Sequence, residues 1–326
     1  MSTRYFVGID LGGTNVKAGL VDEQAHVKSK LSIETEADGG VDHVIGRIGQ
    51  AVELAIRQAD VPQSAVTGVG IGSPGSMSHK AGIIISPPNL PGWHNVPLRD
   101  RVREVSGLPT VLENDANAAA WGEFWAGAGK DITDMVMFTL GTGVGGGVII
   151  DGRLVRGHFD NGAELGHMIV VPDGEPCGCG QKGCLEAYSS AAATARRAVA
   201  AIEAGEASSL KLQIDAGQQI KSQQVEQAAR DGDALADRIW DEACYYLATA
   251  CINMQHFSNP QRVVLAGGMI GAGDFLLDRV RKHAEAMTWH AADDLPEIIF
   301  ATLGNDAGLI GAAGSAHAAW REGEPT

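Results

Sequence analysis

Cys177, Cys179 and Cys184 stand in a C-x-C-x4-C arrangement, and His167 lies a short stretch before them. Three thiolates and one imidazole make a closed tetrahedral set for a zinc ion, with no open position for a substrate. Gly178, Gly180 and Gly183 let the chain wrap closely around such an ion. A closed set is structural, so this metal is not expected to enter the chemistry. On spacing alone, reduced surface cysteines or a redox pair are the alternatives.

Three glycine turns carry a second kind of chemistry. Asp10-Leu11-Gly12-Gly13-Thr14-Asn15, with Lys17 just beyond, separates two strand-like runs. The glycines let backbone N–H groups approach a phosphate, Thr14 adds a hydroxyl, and Asp10 is placed to hold Mg²⁺ directly or through water. An ordinary hairpin turn would look the same. Gly141-Thr142-Gly143-Val144-Gly145-Gly146-Gly147 contains a GxGxxG match. The dinucleotide reading needs a helix next, whereas Val148-Ile149-Ile150 reads as a strand. No GxxxxGK[ST] occurs either. Gly267-Gly268 closes the apolar run Val263-Val264-Leu265-Ala266, where an adenosine could lie against backbone. Each turn is a weak signal, and three in this order point to a nucleotide.

Glu113-Asn114-Asp115 falls at a strand-to-helix junction. An acid there either caps the helix or reaches into a cleft as a general base. The residue pattern leaves both open.

The elements that must position these residues alternate between strand and helix. Strands are expected at 4–10, 14–21, 28–35, 66–72, 110–113, 134–140, 147–150, 262–266 and 297–302. Helices are expected at 41–59, 116–126, through much of 189–257, at 274–287 and at 307–321. The strand–turn–strand unit around Gly141 echoes the one around Gly12, so an internally duplicated architecture is expected. A chain of 326 residues suits two lobes. The expected division is a small α/β lobe at 1–120, with the segment 305–326 packing back on it, and a larger α/β lobe at 121–304 carrying the cysteine loop.

The net charge of −15 repels nucleic acid and anionic membranes, and neither is an expected partner. No apolar run is long enough to span a bilayer. Met1-Ser2-Thr3-Arg4 leads straight into a short apolar run and then Asp10, so a cytoplasmic location is expected. Cys244 and Cys251 sit on one face of a helical pattern and read as small buried apolar residues.

The stretches Gly8–Thr14, Glu113–Ala119, Gly141–Gly147, Glu164-Leu165-Gly166-His167 and Cys177–Glu186 together resemble the ROK family (repressors and sugar kinases) of the actin, hexokinase and Hsp70 superfamily. The resemblance covers nearly the whole chain. It implies an α/β fold: a duplicated, two-lobed actin-like ATPase (ribonuclease H-like) fold, with ATP and sugar in the interlobe cleft. It implies an ATP:hexose 6-phosphotransferase using ATP and Mg²⁺ and holding structural Zn²⁺. D-glucose is the expected substrate, with N-acetylmannosamine, N-acetylglucosamine, fructose and allose as alternatives. Under it Asp115 becomes the catalytic base, and Asn89, Asn114, Asp115, Glu164, His167 and Glu186 match sugar-contacting positions. Asp10, Gly12, Gly13, Thr14, Asn15, Lys17, Gly141, Thr142, Gly143, Gly267 and Gly268 become nucleotide contacts. His167, Cys177, Cys179 and Cys184 become the zinc ligands. A homo-oligomer, dimer or tetramer, is implied as well. Sugar-sensing transcriptional regulators share this fold but carry a DNA-binding helix-turn-helix ahead of the first phosphate turn; with a short lead before Asp10 and a strongly acidic chain, that class is not the expected one.

Overall fold

The computed structural model describes residues 3–87, 89–288 and 295–323. Met1 and Ser2, Pro88, 289–294 and 324–326 lie outside the described residues. The chain forms two compact units. One comprises Met1–Ile132, Gly147–Ala163 and Thr302–Thr326, and the other Thr133–Gly146 and Glu164–Ala301.

In chain order the elements begin with strands β1 (Tyr5–Leu11), β2 (Asn15–Asp22) and β3 (Val27–Glu34) and helix α1 (Gly40–Gln58). There follow β4 (Val66–Ser73), β5 (Ser76–Ser78), β6 (Ile83–Ser86), α2 (Leu98–Ser106), β7 (Thr110–Asn114) and α3 (Asp115–Ala126). Next come β8 (Met135–Leu140), β9 (Val144–Ile150), β10 (Arg153–Leu154), α4 (Glu186–Ser189), α5 (Ala191–Glu203), α6 (Lys211–Asp215), α7 (Ser222–Arg230) and α8 (Ala234–Ser258). The chain closes with β11 (Arg262–Ala266), α9 (Asp274–Met287), β12 (Glu297–Phe300) and α10 (Ala307–Glu322).

One sheet runs β3-β2-β1-β4-β7 and another β10-β9-β8-β11-β12. In the first, β1 pairs antiparallel with β2, whereas β4 and β7 add in parallel. In the second, β11 pairs in parallel with both β8 and β12. The strand orders match position for position, which is the duplication the two glycine hairpins suggest.

The first sheet buries an apolar layer on each face. Ile45, Ile48, Val52 and Ile56 of α1 pack with Val7, Ile9, Val69 and Ile71 of the strands. Each such side chain contributes about 1.5–3 kcal/mol on burial. Packing therefore holds α1, whose N-cap residue Gly39 makes no side-chain cap bond. On the other face Phe6, Val21 and Val111 meet Leu309, Ile310 and Ala313 of α10. That helix lies almost on the sheet backbone. A Cβ at Gly70 would fall 1.7 Å from the Ala312 carbonyl oxygen, and one at Gly8 would fall 2.0 Å from that of Leu309. In the second unit the long helix α8 packs against α9, α7 and α5.

Several features depart from the sequence expectation, among them the short strands β5, β6 and β10, which it did not contain. Helix α2 was not expected, because only Leu98 and Val102 are buried and most of its other positions are charged. Strand β9 starts at Val144 rather than Gly147; glycines read as a turn can still extend when sheet pairing satisfies their backbone. Among the described residues no helix is long and apolar enough to cross a membrane.

Candidate functional site

The first glycine turn closes on itself through the Gly12 amide, which donates to the Asn15 carbonyl at 2.9 Å. The Thr35 hydroxyl donates to the Gly12 carbonyl at 2.6 Å. Asp10, the penultimate residue of β1, lies directly opposite Lys17 on β2, and the Lys17 ammonium lies 3.0 Å from its carboxylate. Asn89 packs onto this turn, and a Cβ at Gly13 would stand 2.6 Å from the Asn89 carbonyl oxygen. The glycine is thus what admits Asn89 to the turn.

Asn114 is the N-cap of α3, its side-chain oxygen accepting from the Ala116 and Asn117 amides. Asp115 follows at the first turn, exposed, with Oδ1 accepting from the Ala116 amide at 2.9 Å. Of the two roles left open by the sequence, capping falls mainly to Asn114. Glu113, one step earlier, is 2% exposed. Its Oε2 takes the Arg156 guanidinium at 2.8 Å through Nε and Nη2. Arg156 was not picked out from the sequence, and nothing local signals it, because its partner lies 43 residues away.

In the second unit, the Gly141 amide donates to the Gly143 carbonyl at 2.9 Å, and the Ala191 amide opening α5 donates to Gly141 at 2.9 Å. Glu186 opens α4, and its Oε2 accepts from the Val144 amide at 2.9 Å. Gly141, Thr142 and Gly268 line one cavity of about 890 Å³, with Ala195, Ile220 and Lys221 on its walls. That volume falls in the range of small-molecule sites. Two of the three glycine turns are therefore brought to one pocket.

The cysteine loop folds through paired backbone bridges at Ile169–Cys184 and Pro176–Lys182. One donor atom each from His167, Cys177, Cys179 and Cys184 lies within 4.8 Å of every other. Cys177 Sγ is 3.7 Å from His167 Nδ1, and Cys179 Sγ is 3.7 Å from Cys184 Sγ. Zn–S bonds of about 2.3 Å in a tetrahedron put ligand atoms about 3.7 Å apart, so the donor set and spacing fit that ion. Burial, with Cys179 and Cys177 adjacent, pushes the Cys184 thiol up to about 12. A bound cation offsets this by stabilising the thiolate. Glu164 stands exposed ahead of the His167 turn, and its carbonyl accepts from the His167 amide at 3.0 Å. Cys244 and Cys251 are buried in α8 away from this cluster, and burial pushes each thiol up to about 12.

Two sheets of matching strand order, each with a glycine turn after its first strand, define the duplicated actin-like ATPase fold. Within that class the chain belongs to the ROK family, whose model matches residues 6–319. It is 38% identical over 312 residues to a glucokinase from Halalkalibacterium halodurans, covering 95% of this chain and 94% of the relative. The crystal structure of a ROK hexokinase from Thermus thermophilus superposes with a TM-score of 0.84 at 33% identity, covering 98% of this chain and 99% of that one. A ROK family glucokinase from Streptomyces griseus, crystallised with glucose and AMPPNP, superposes with a TM-score of 0.76 at 35% identity, covering 97% and 100%. These relatives make the chain a sugar kinase, a phosphotransferase.

Proposed function

We propose that this ROK kinase transfers the γ-phosphoryl group of ATP to the primary 6-hydroxyl of a hexose, with D-glucose as the substrate. The observation that carries this reading is the near-full-length similarity to glucokinases, together with a family match over residues 6–319, which spans the motifs described above. Mg²⁺ supplies charge neutralisation at the transferring phosphates, and Asp10 is the residue proposed to hold it, with Lys17 beside it. Gly12, Gly13, Thr14 and Asn15 offer backbone and hydroxyl donors to the phosphates, as do Gly141, Thr142 and Gly143. Gly267 and Gly268 border the adenosine.

Asp115 accepts the proton of the 6-hydroxyl as its oxygen bonds to phosphorus and the bond from phosphorus to the ADP oxygen breaks. Asn89, Asn114, Glu164, His167 and Glu186 fix the remaining hydroxyls. With its oxygen committed to the α3 cap, Asn114 would meet the sugar through its amide N–H₂. His167 turns Nδ1 toward Cys177, which leaves Nε2 as the nitrogen for a sugar hydroxyl. Zinc on His167, Cys177, Cys179 and Cys184 would then hold the sugar-contacting groups in place without entering the reaction.

An ADP-release assay across hexoses and N-acetylhexosamines tests the proposal. D-glucose is expected to give the highest kcat/KM. A tenfold preference for an N-acetylhexosamine would overturn the glucose assignment, and no sugar-stimulated ADP release would overturn the kinase reading.

A further inference from the structure

We infer that Glu113 and Arg156 form a positioning pair that sets the orientation of Asp115. The inference rests on the reading of Asp115 as the base. Glu113 is the penultimate residue of β7, paired in register with Gly72 of β4, so its backbone is fixed by the sheet. Its carboxylate is 2% exposed and divides its two oxygens between two tasks. Oε2 receives Arg156 Nε and Nη2, both at 2.8 Å, with His79 Nε2 3.9 Å away. Oε1 faces the helix start, where it accepts from the Asn114 amide at 3.1 Å and from Asn117 Nδ2 at 3.2 Å.

Asp115 therefore sits between two clamped points. Glu113 holds the amide before it and the Asn117 side chain after it, while the Asn114 cap holds the Ala116 and Asn117 amides. Arg156 is anchored in turn, because its carbonyl accepts from the Gly162 amide at 2.7 Å. An ion pair with one buried and one part-exposed partner contributes little net stability compared with well-packed apolar residues. It does fix direction, since a carboxylate gripped by two guanidinium nitrogens on one oxygen cannot swing without leaving the other oxygen's donors unpaired. A base on a helix N-terminus needs that fixity, because a displacement of about 1 Å in a reacting group costs roughly a hundredfold in rate.

The test uses Arg156→Lys, Glu113→Gln and the combined variant, with Asp115→Asn alongside. Arg156→Lys keeps the charge and loses the two-nitrogen grip. Its kcat for glucose is expected to fall by about tenfold or more, with KM for glucose and ATP and the thermal midpoint nearly unchanged. Glu113→Gln is expected to behave in the same way, and the combined variant to be no worse than the weaker single, because both act through one contact. If Glu113→Gln does not fold, Arg156→Lys decides alone. Normal kcat in Arg156→Lys, or a loss of kcat accompanied by comparable rises in both KM values and a loss of thermal stability, overturns the inference. Loss of kcat in Asp115→Asn with none in Arg156→Lys removes the positioning role only. Normal kcat in Asp115→Asn removes the base and its positioning pair together.

Discussion

Glu186 accepts a hydrogen bond from the Val144 amide at 2.9 Å through Oε2, while its Oε1 lies 3.6 Å from Cys177 Sγ. One carboxylate thus touches both the second glycine turn and the cysteine loop. The turn that borders the 890 Å³ cavity and the loop that gathers four metal-ligand atoms are parts of one packed assembly within the second unit. If the proposed zinc and nucleotide sites are as assigned, loss of the metal is expected to weaken nucleotide binding as well as sugar binding.

Cys184→Ser removes a buried sulfur from the donor set. The variant is expected to lose the proposed zinc, since even loss of a group that only supports a ligand costs about ten- to a hundredfold in metal affinity. Elemental analysis and calorimetry should find weaker glucose binding and weaker binding of a non-hydrolysable ATP analogue. A folded, zinc-free variant with both affinities intact would separate the loop from the site.

Gly143→Ala tests the Glu186 contact from the other side. A Cβ there would lie 2.3 Å from Glu186 Oε2, so the carboxylate must leave its place. Hydrogen bonds to charged groups contribute about 1.5–3 kcal/mol, which corresponds to a loss of roughly tenfold or more in nucleotide affinity. Unchanged affinity in calorimetry would show that the Val144 contact does not hold the turn.

His317 gives a pH dependence that belongs to folding, not to catalysis. Its ring stacks on Trp125 at 5.2 Å and meets Phe6 edge-on at 5.2 Å. Burial, and then the Arg321 charge, lower its pKa below the ordinary 6.5. A histidine depressed in the folded state binds its proton more readily when unfolded, so stability rises with pH across that window. Stability from this group is fully present above about pH 6.5 and is lost as pH falls from there through the depressed folded value. His317→Phe keeps an aromatic ring and should remove that part of the pH dependence in urea unfolding. An unchanged stability–pH profile would refute it.

Much of this was legible in the sequence because the signals are local. The period of Val44, Ile45, Ile48, Val52 and Ile56 marks a helix with one buried face, and α1 buries all of them. The glycine turns and the cysteine spacing are likewise short-range patterns, and the turns at Gly141 and Gly268 do meet at one cavity. Helix α2 was hidden by its charges, since two buried residues make too weak a period. The Glu113–Arg156 pair was hidden for a different reason: register and loop path bring its halves together from 43 residues apart. Glu186 was singled out only by the family resemblance, and its hold on the Val144 amide, 42 residues back, was not legible.

The central claim is that Asp115, exposed at the start of α3, takes the proton of a hexose hydroxyl during phosphoryl transfer. Sugar-dependent ADP release with glucose, measured for the wild-type chain and for Asp115→Asn, tests it most directly. General-base catalysis contributes roughly 10²–10⁴ in rate, so kcat should fall by at least about a hundredfold while KM for glucose changes far less. A near-normal kcat in a folded Asp115→Asn protein would contradict the assignment.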